Sequence, residues 1–406
     1  MTKIPTFLKN EDILSTFIGA ILLAAVIFFP DFFKAQPEIY QTHLFSLIAT
    51  LPIFAVGVKL MGEKVIPFAI SFVAIFAISI LSQYISTIPY IKKLGFESVF
   101  IAVTIGLLIR NTIGLPKWLA PAIKSEYFIK AGLVILGSSI IFGEIMKAGA
   151  LGMLQAIVVV FCVWNFSFWI AKKMGVDEEM GIMLSSAVSI CGVSAAIATC
   201  GAIKGDGKKL SFVVSLVLIC AVPMMYVMPL LARWLGLGEE VAGAWLGGTI
   251  DTTGAVVASG KFLGETAEKY SVIIKSSQNV LLGVAAFFIS IYWSLKQTHK
   301  ETKPSPKLIW ERFPKFVIGF VLASLVFSFL LEPTDAKALS KIAKGLRETI
   351  FSIAFVSIGL ETDFRQVFTK ENAKYTKTFL TAQSFNIIIT LVMALLIFGS
   401  AAYLSE

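Results

Sequence analysis

Apolar stretches of roughly 18 to 25 residues recur from end to end of this chain, each long enough to cross a hydrocarbon layer about 30 Å thick as an α-helix. They fall at about 13–30, 42–58, 66–88, 98–113, 129–146, 149–171, 180–203, 210–232, 241–260, 270–294, 315–331, 346–360 and 376–403. The pattern predicts an all-α polytopic membrane protein with about thirteen transmembrane segments. The ten-residue alternation of a membrane barrel is absent from the sequence. The longest polar link, about 296–315, leaves no room for a folded domain outside the bilayer. Residues 1–406 are therefore read as one integral membrane domain, a multi-pass protein of the cell membrane.

Composition agrees with the pattern. Of 406 residues, 57% are apolar and only 15% charged, and the mean hydropathy is +0.83, far from the usage of soluble domains. The formal net charge of +9 sits in short links between apolar runs rather than in one stripe, so it marks the flanks of spans and not a nucleic-acid surface. The balance of Lys and Arg between alternate links puts the N-terminus on the cytoplasmic side. The first apolar run, 13–30, has no small-residue cleavage signal after it and is read as a retained span. Cys162, Cys191, Cys200 and Cys220 all lie inside apolar segments, without the spacing of a disulfide framework or a zinc site.

Comparison of the chain with itself at an offset of 222 residues aligns GLVILG at Gly132–Gly137 with AFVSIG at Ala354–Gly359 and Phe142 with Phe364. The same offset carries segments 4, 5 and 6 onto 11, 12 and 13. Seven segments separate the partners, so units 98–171 and 315–403 would cross the membrane in opposite directions. Inverted repeats of this kind build many secondary transporters.

Two segments break the apolar pattern. One reads SSAVSICGVSAAIATCG from Ser185 to Gly201; the other reads GGTIDTTGAVVASG from Gly247 to Gly260. Small residues also serve close helix packing, but a carboxylate at membrane depth, Asp251, costs a few kcal/mol on insertion scales, roughly, and marks function by default. Gly beside Ser, Thr or Asp is the composition expected where a helix unwinds and lines a cavity. Two discontinuous helices are therefore expected, with Ser189, Cys191, Gly192 and Ser194 on one wall and Thr249, Asp251, Thr252 and Thr253 on the other. Such breaks aim helix N-termini at an anion and freed carbonyls at a cation.

A third cluster, KSSQN at Lys275–Asn279, lies just inside a long apolar run. Lys275 and Asn279 share a helix face, and Lys275 either snorkels to the interface or pairs with Asp251. Gln278 belongs to the same cluster. Arg110 and Asn111, at the end of the fourth segment, read as a positive flank.

These motifs together resemble the YeiH-type membrane protein family, whose members carry a sulfate-exporter label. The resemblance rests on GLLIRNTIGLP at Gly106–Pro116, SICG at Ser189–Gly192, G-x-T-I at Gly247–Ile250, the VVA-small-G ending at Val256–Gly260, and Lys275 with Asn279. It implies a secondary carrier related in fold to sodium/proton antiporters and bile-acid symporters, with inverted repeats and crossed, broken helices. Two positions depart from the family pattern: Asp251 stands where many members have His, and Gln278 where they have Arg. Both changes remove positive charge from the expected site.

The reading that follows is a secondary transporter of a small anionic or zwitterionic solute, sulfate- or sulfonate-like by resemblance, coupled to H+ or Na+ through Asp251. Its substrate-binding residues would be Ser189, Cys191, Gly192, Ser194, Thr249, Asp251, Thr252, Thr253, Lys275, Gln278 and Asn279. The alternative is a monovalent cation/proton antiporter with Asp251 as ion carrier. No organic cofactor is expected, and the metal expectation is limited to Na+ near Asp251. The expected partners are the small solute or ion and the lipid bilayer, with a homo-oligomer left open and no nucleic acid. HExxH, GxSxG and nucleotide-loop motifs are absent from the sequence, so an enzyme is not expected.

Overall fold

The computed structural model describes residues 10–34, 39–88, 91, 98–296, 307–364 and 372–399, and no strand occurs among them. In chain order the α-helices longer than one turn are α1 (Glu11–Phe28), α2 (Ile39–Leu60), α3 (Val65–Ser86), α4 (Ser98–Thr112), α5 (Ser125–Leu136), α6 (Phe142–Lys173), α7 (Glu178–Ser186), α8 (Val193–Ile203), α9 (Gly207–Trp234), α10 (Glu239–Thr249), α11 (Thr253–Leu263), α12 (Glu265–Lys296), α13 (Lys307–Arg312), α14 (Lys315–Leu325), α15 (Pro333–Glu361) and α16 (Ala373–Ala394). Among the described residues, seven helical stretches are long and apolar enough to cross a membrane: those of α1, α2, α3, α6, α9, α12, and α16 extended to Gly399. The remaining predicted segments, apart from 346–360, lie on shorter or interrupted helices. Segment 129–146, read as one span, is interrupted: α5 gives way to a 3-10 turn at Gly137–Ser139, and α6 starts at Phe142. Segment 346–360 is the second half of the 29-residue α15.

The chain divides into two compact units, one of residues 1–145 and 314–362, the other of 146–313 and 363–406. In the first, α4 and α15 cross through glycines. A Cβ on Gly106 would lie 2.5 Å from the Val356 carbonyl oxygen and 2.9 Å from Gly359 Cα, so only glycine allows the two backbones this approach. Beside them Phe54, Phe68, Phe72 and Phe128 are fully buried, with Phe54 and Phe128 edge to face at 5.0 Å. Asn111 Nδ2 donates to the Thr362 carbonyl at 3.1 Å, which fastens the end of α4 to the end of α15. The residue read as part of a charged flank is thus a tie between helices.

The second unit holds α7 to α13, α16 and nearly all of α6. Close packing again comes from small residues: a Cβ on Gly243 would meet the Ala267 carbonyl at 2.7 Å, and one on Gly260 would meet Glu268 Cα at 2.8 Å. Both half-helices α10 and α11 therefore lie directly on α12. Trp245 is buried, and its indole N–H donates to the Ile387 carbonyl of α16 at 2.9 Å. Phe161 and Phe288 of this unit stay exposed, as side chains facing lipid do.

Candidate functional site

Both segments that broke the apolar pattern break the helix. Asp177 caps α7, accepting from the Met180 N–H at 3.2 Å, and the helix widens after Ser186 into a π turn at Ala187–Cys191. The turn closes with Gly192 N–H donating to the Ala187 carbonyl at 2.9 Å. Gly192 then takes φ 53°, ψ −106°, a conformation closed to side chains, and α8 starts at the next residue. The second break is an extended link. Helix α10 ends at Thr249, Ile250 and Thr252 are in extended conformation, and the Thr252 hydroxyl caps α11 by accepting from the Ala255 N–H at 3.3 Å.

The two breaks meet. A Cβ on Gly192 would stand 3.0 Å from the Asp251 carbonyl oxygen and 3.2 Å from Asp251 Cβ. Polar side chains from α12 and α16 cap the carbonyls that the breaks release. Lys275 Nζ donates to the Ile190 carbonyl at 2.6 Å and to Gln278 Oε1 at 2.8 Å. Gln278 Nε2 donates to the carbonyls of Ser189 at 2.8 Å and Gly248 at 3.2 Å. Asn386 Nδ2 reaches those of Val188 at 3.2 Å and Thr249 at 3.1 Å, and Gln383 Nε2 adds a bond to Thr249 at 2.9 Å. These five carbonyls, released at the breaks, each accept from an amide or ammonium donor.

Lys275 is 0% exposed, so it does not snorkel. It donates to a carbonyl and an amide, and Asp251 is its electrostatic neighbour. Asp251 is 1% exposed, and neither carboxylate oxygen accepts a hydrogen bond. Asn279 donates to Thr253 Oγ1 at 3.4 Å, while its own side-chain oxygen and the Thr249 hydroxyl accept none. Cys191 packs with Ala195 against Leu282 and Ala286 of α12. Ser194 is half-buried in the first turn of α8.

The order of these motifs along the chain is that of a known family. A family model described as Conserved hypothetical protein 698 matches residues 70–377. The chain belongs to this family. A UPF0324 membrane protein of Nitratidesulfovibrio vulgaris is 36% identical over 393 residues, covering 90% of this chain and 67% of that protein. One from Rhodopirellula baltica is 39% identical over 369 residues, covering 87% and 67%. The UPF0324 inner membrane protein YeiH of Salmonella typhimurium is 27% identical over 286 residues, covering 68% and 79%, so the resemblance read from the motifs holds. Like the relatives so named, this member of the UPF0324 family is a multi-pass membrane protein. The sodium/proton antiporter MjNhaP1 of Methanocaldococcus jannaschii overlays with a TM-score of 0.20 at 10% identity, covering 77% of this chain and 99% of that one, a level that carries no weight for fold.

The structure thus gathers the sequence-predicted residues of this UPF0324 member at one crossover and adds two that sequence reasoning missed, Gln383 and Asn386. Their signal was present: two amides, three apart, so on one face of α16. What could not be read is that they reach breaks more than 130 positions earlier in the chain. Among the described residues no cluster of three or more His, Cys, Asp or Glu could hold a metal ion. The chemistry available is reversible binding: a buried carboxylate with open oxygens, a buried ammonium, and the N-termini of α8 and α11 starting at the two breaks.

Proposed function

We propose that this UPF0324 protein is a secondary active transporter that moves a small anionic or zwitterionic solute, sulfate- or sulfonate-like in chemistry, with Asp251 coupling the movement to H+ or Na+. The observation that carries the reading is the meeting of two broken helices at a buried Asp251 whose oxygens accept no hydrogen bond, beside a buried Lys275. An intramembrane carboxylate that accepts no hydrogen bond is costly, and a proton, a cation or a cationic group of the solute offsets that cost in turn. Lys275 and the positive ends of α8 and α11 suit the anionic part of the solute. The open carboxylate favours one second reading, a monovalent cation/proton antiporter with no organic substrate.

Thirteen spans arranged as inverted repeats, with the N-terminus in the cytoplasm, complete the proposal. Support for the repeat comes from positions 222 apart that do the same work. Ile140 and Thr362 each accept a side-chain hydrogen bond at the end of a helix, from Ser324 Oγ at 2.5 Å and Asn111 Nδ2 at 3.1 Å. Gly137 and Gly359 each touch a facing backbone too closely for a Cβ.

The test is flux in reconstituted vesicles, with sulfate and taurine as probes under imposed proton and sodium gradients. Asp251→Asn keeps shape but cannot ionise, so the response to both gradients should fall to that of empty vesicles while the protein stays folded. Unchanged gradient-driven uptake rejects the coupling role. Stabilisation by sodium alone, with neither solute raising the melting temperature, selects the antiporter, because a ligand of the folded state stabilises it by mass action.

A further inference from the structure

Two side-chain amides from different helices make the same connection. Gln278 of α12 places its nitrogen between the carbonyls of Ser189 and Gly248, and Asn386 of α16 places its nitrogen between those of Val188 and Thr249. Each amide takes one carbonyl from each break. The carbonyls are neighbours on both sides, 188 with 189 and 248 with 249. Only the NH2 end of an amide can serve two carbonyls, and each amide oxygen is held by its own donor. Lys275 Nζ lies 2.8 Å from Gln278 Oε1, and Thr390 Oγ1 lies 2.9 Å from Asn386 Oδ1. Lys275, Gln278, Asn386 and Thr390 are all buried. Gln383 reaches only the second break.

A carbonyl released from a helix in apolar surroundings must find a donor. Where one nitrogen serves a carbonyl from each break, separating the breaks strands at least one of them, and here two nitrogens do so. We infer that Gln278 and Asn386 are positioning residues that fasten the two broken helices into one body, with Lys275 and Thr390 fixing the direction of each amide. Asp251 is thereby held at one place relative to the first break, and the crossover moves as a unit. That this unit moves during transport rests on the function proposed above; the fastening does not.

Hydrogen exchange followed by mass spectrometry on the full chain in lipid nanodiscs tests it. Asn386→Leu, of similar size, should raise exchange in the segments 187–195 and 248–254 together by about tenfold, the scale of one or two lost hydrogen bonds, with α9 unchanged. Gln278→Met should loosen the same two segments from a different helix. A change confined to one break, or to the helix that carries the substitution, overturns the inference. Thr390→Val leaves the Asn386 amide in place and frees its oxygen, so it should move both segments by less; no change there also counts against it, even if Asn386→Leu does not fold. Exchange is read without any flux, so paired loosening in a protein that transports nothing keeps the fastening and discards the transporter reading.

Discussion

The two breaks at the crossover interrupt their helices by different means. At 187–192 the interruption is concentrated in one residue: a π turn closes and Gly192 at φ 53° lets α8 start at once. At 250–252 the interruption is spread along the chain, through extended backbone at Ile250 and Thr252 and a threonine cap. The first break carries no carboxylate or basic side chain, and the second carries Asp251. A kink that depends on one dihedral tolerates no side chain at that position, whereas a distributed link fails in parts. The first break is therefore set by one glycine, and the second is spread over the residues that flank Asp251.

The largest expected effect joins the two. Lys275→Met removes the ammonium from the Ile190 carbonyl and leaves Asp251 without its electrostatic neighbour, so unfolding in detergent should cost about 3–5 kcal/mol of stability. Adding Asp251→Asn should recover part of the loss, by roughly 0.5–3 kcal/mol in a double-mutant cycle. Strict additivity would show that the two charges do not act on each other.

Next in size is Gly192→Ala. Its φ and ψ are strained for any side chain, at about 1–3 kcal/mol, and the new methyl would stand 2.6 Å from Val217 Cγ1. The thermal midpoint should fall, and hydrogen exchange at 187–195 should rise. A neutral Gly192→Ala would mean that the first break is not set by its glycine. Thr252→Ala at the second break should cost only about 1 kcal/mol, the worth of an N-cap, measured by the same denaturation. If it costs more than Gly192→Ala, the contrast between concentrated and distributed breaks is reversed.

The smallest effect lies at the entry to the first break. Partial burial pushes the Asp177 carboxyl up, but the hydrogen bond from Lys209, helped by the Met180 N–H and the Lys209 charge, holds it below the ordinary aspartate value. A lowered carboxylate pKa contributes stability that is fully present above about pH 4 and is lost as pH falls through the native value. Asp177 is 41% exposed, so screening by water keeps the contribution below about 1 kcal/mol. Asp177→Asn should lower stability near neutral pH by less than about 1 kcal/mol, leave it nearly unchanged well below about pH 4, and so flatten the acid limb of the pH–stability curve. An identical acid limb in the variant would remove Asp177 from that balance.

Much of this was legible because it is local. Every predicted segment overlaps helix, since an apolar run of that length has few other ways to satisfy its backbone. The breaks were legible because Gly192 and the Thr249–Thr253 run have no use in a lipid-facing helix. The partners of Lys275 were legible in part: Asp251 is its electrostatic neighbour, while the carbonyl freed 85 residues earlier, to which it donates, gave no local signal. The break at 137–141 was missed for a different reason. Gly137, Ser138 and Ser139 were too few to interrupt the hydropathy of 129–146, and the Ile140 carbonyl they release is met by Ser324.

The distances along the chain also set a schedule for biosynthesis. Val188 waits for Asn386, 198 residues later, an interval of about 10–40 seconds at ribosomal speeds of roughly 5–20 residues per second. Lys275 and Gln278 emerge first and cap Ile190, Ser189 and Gly248; Val188 and Thr249 gain their donors only when α16 enters the bilayer. A nascent chain halted between α12 and α16 therefore holds a half-capped crossover in the membrane, with Asp251 already inserted and the second tie not yet made.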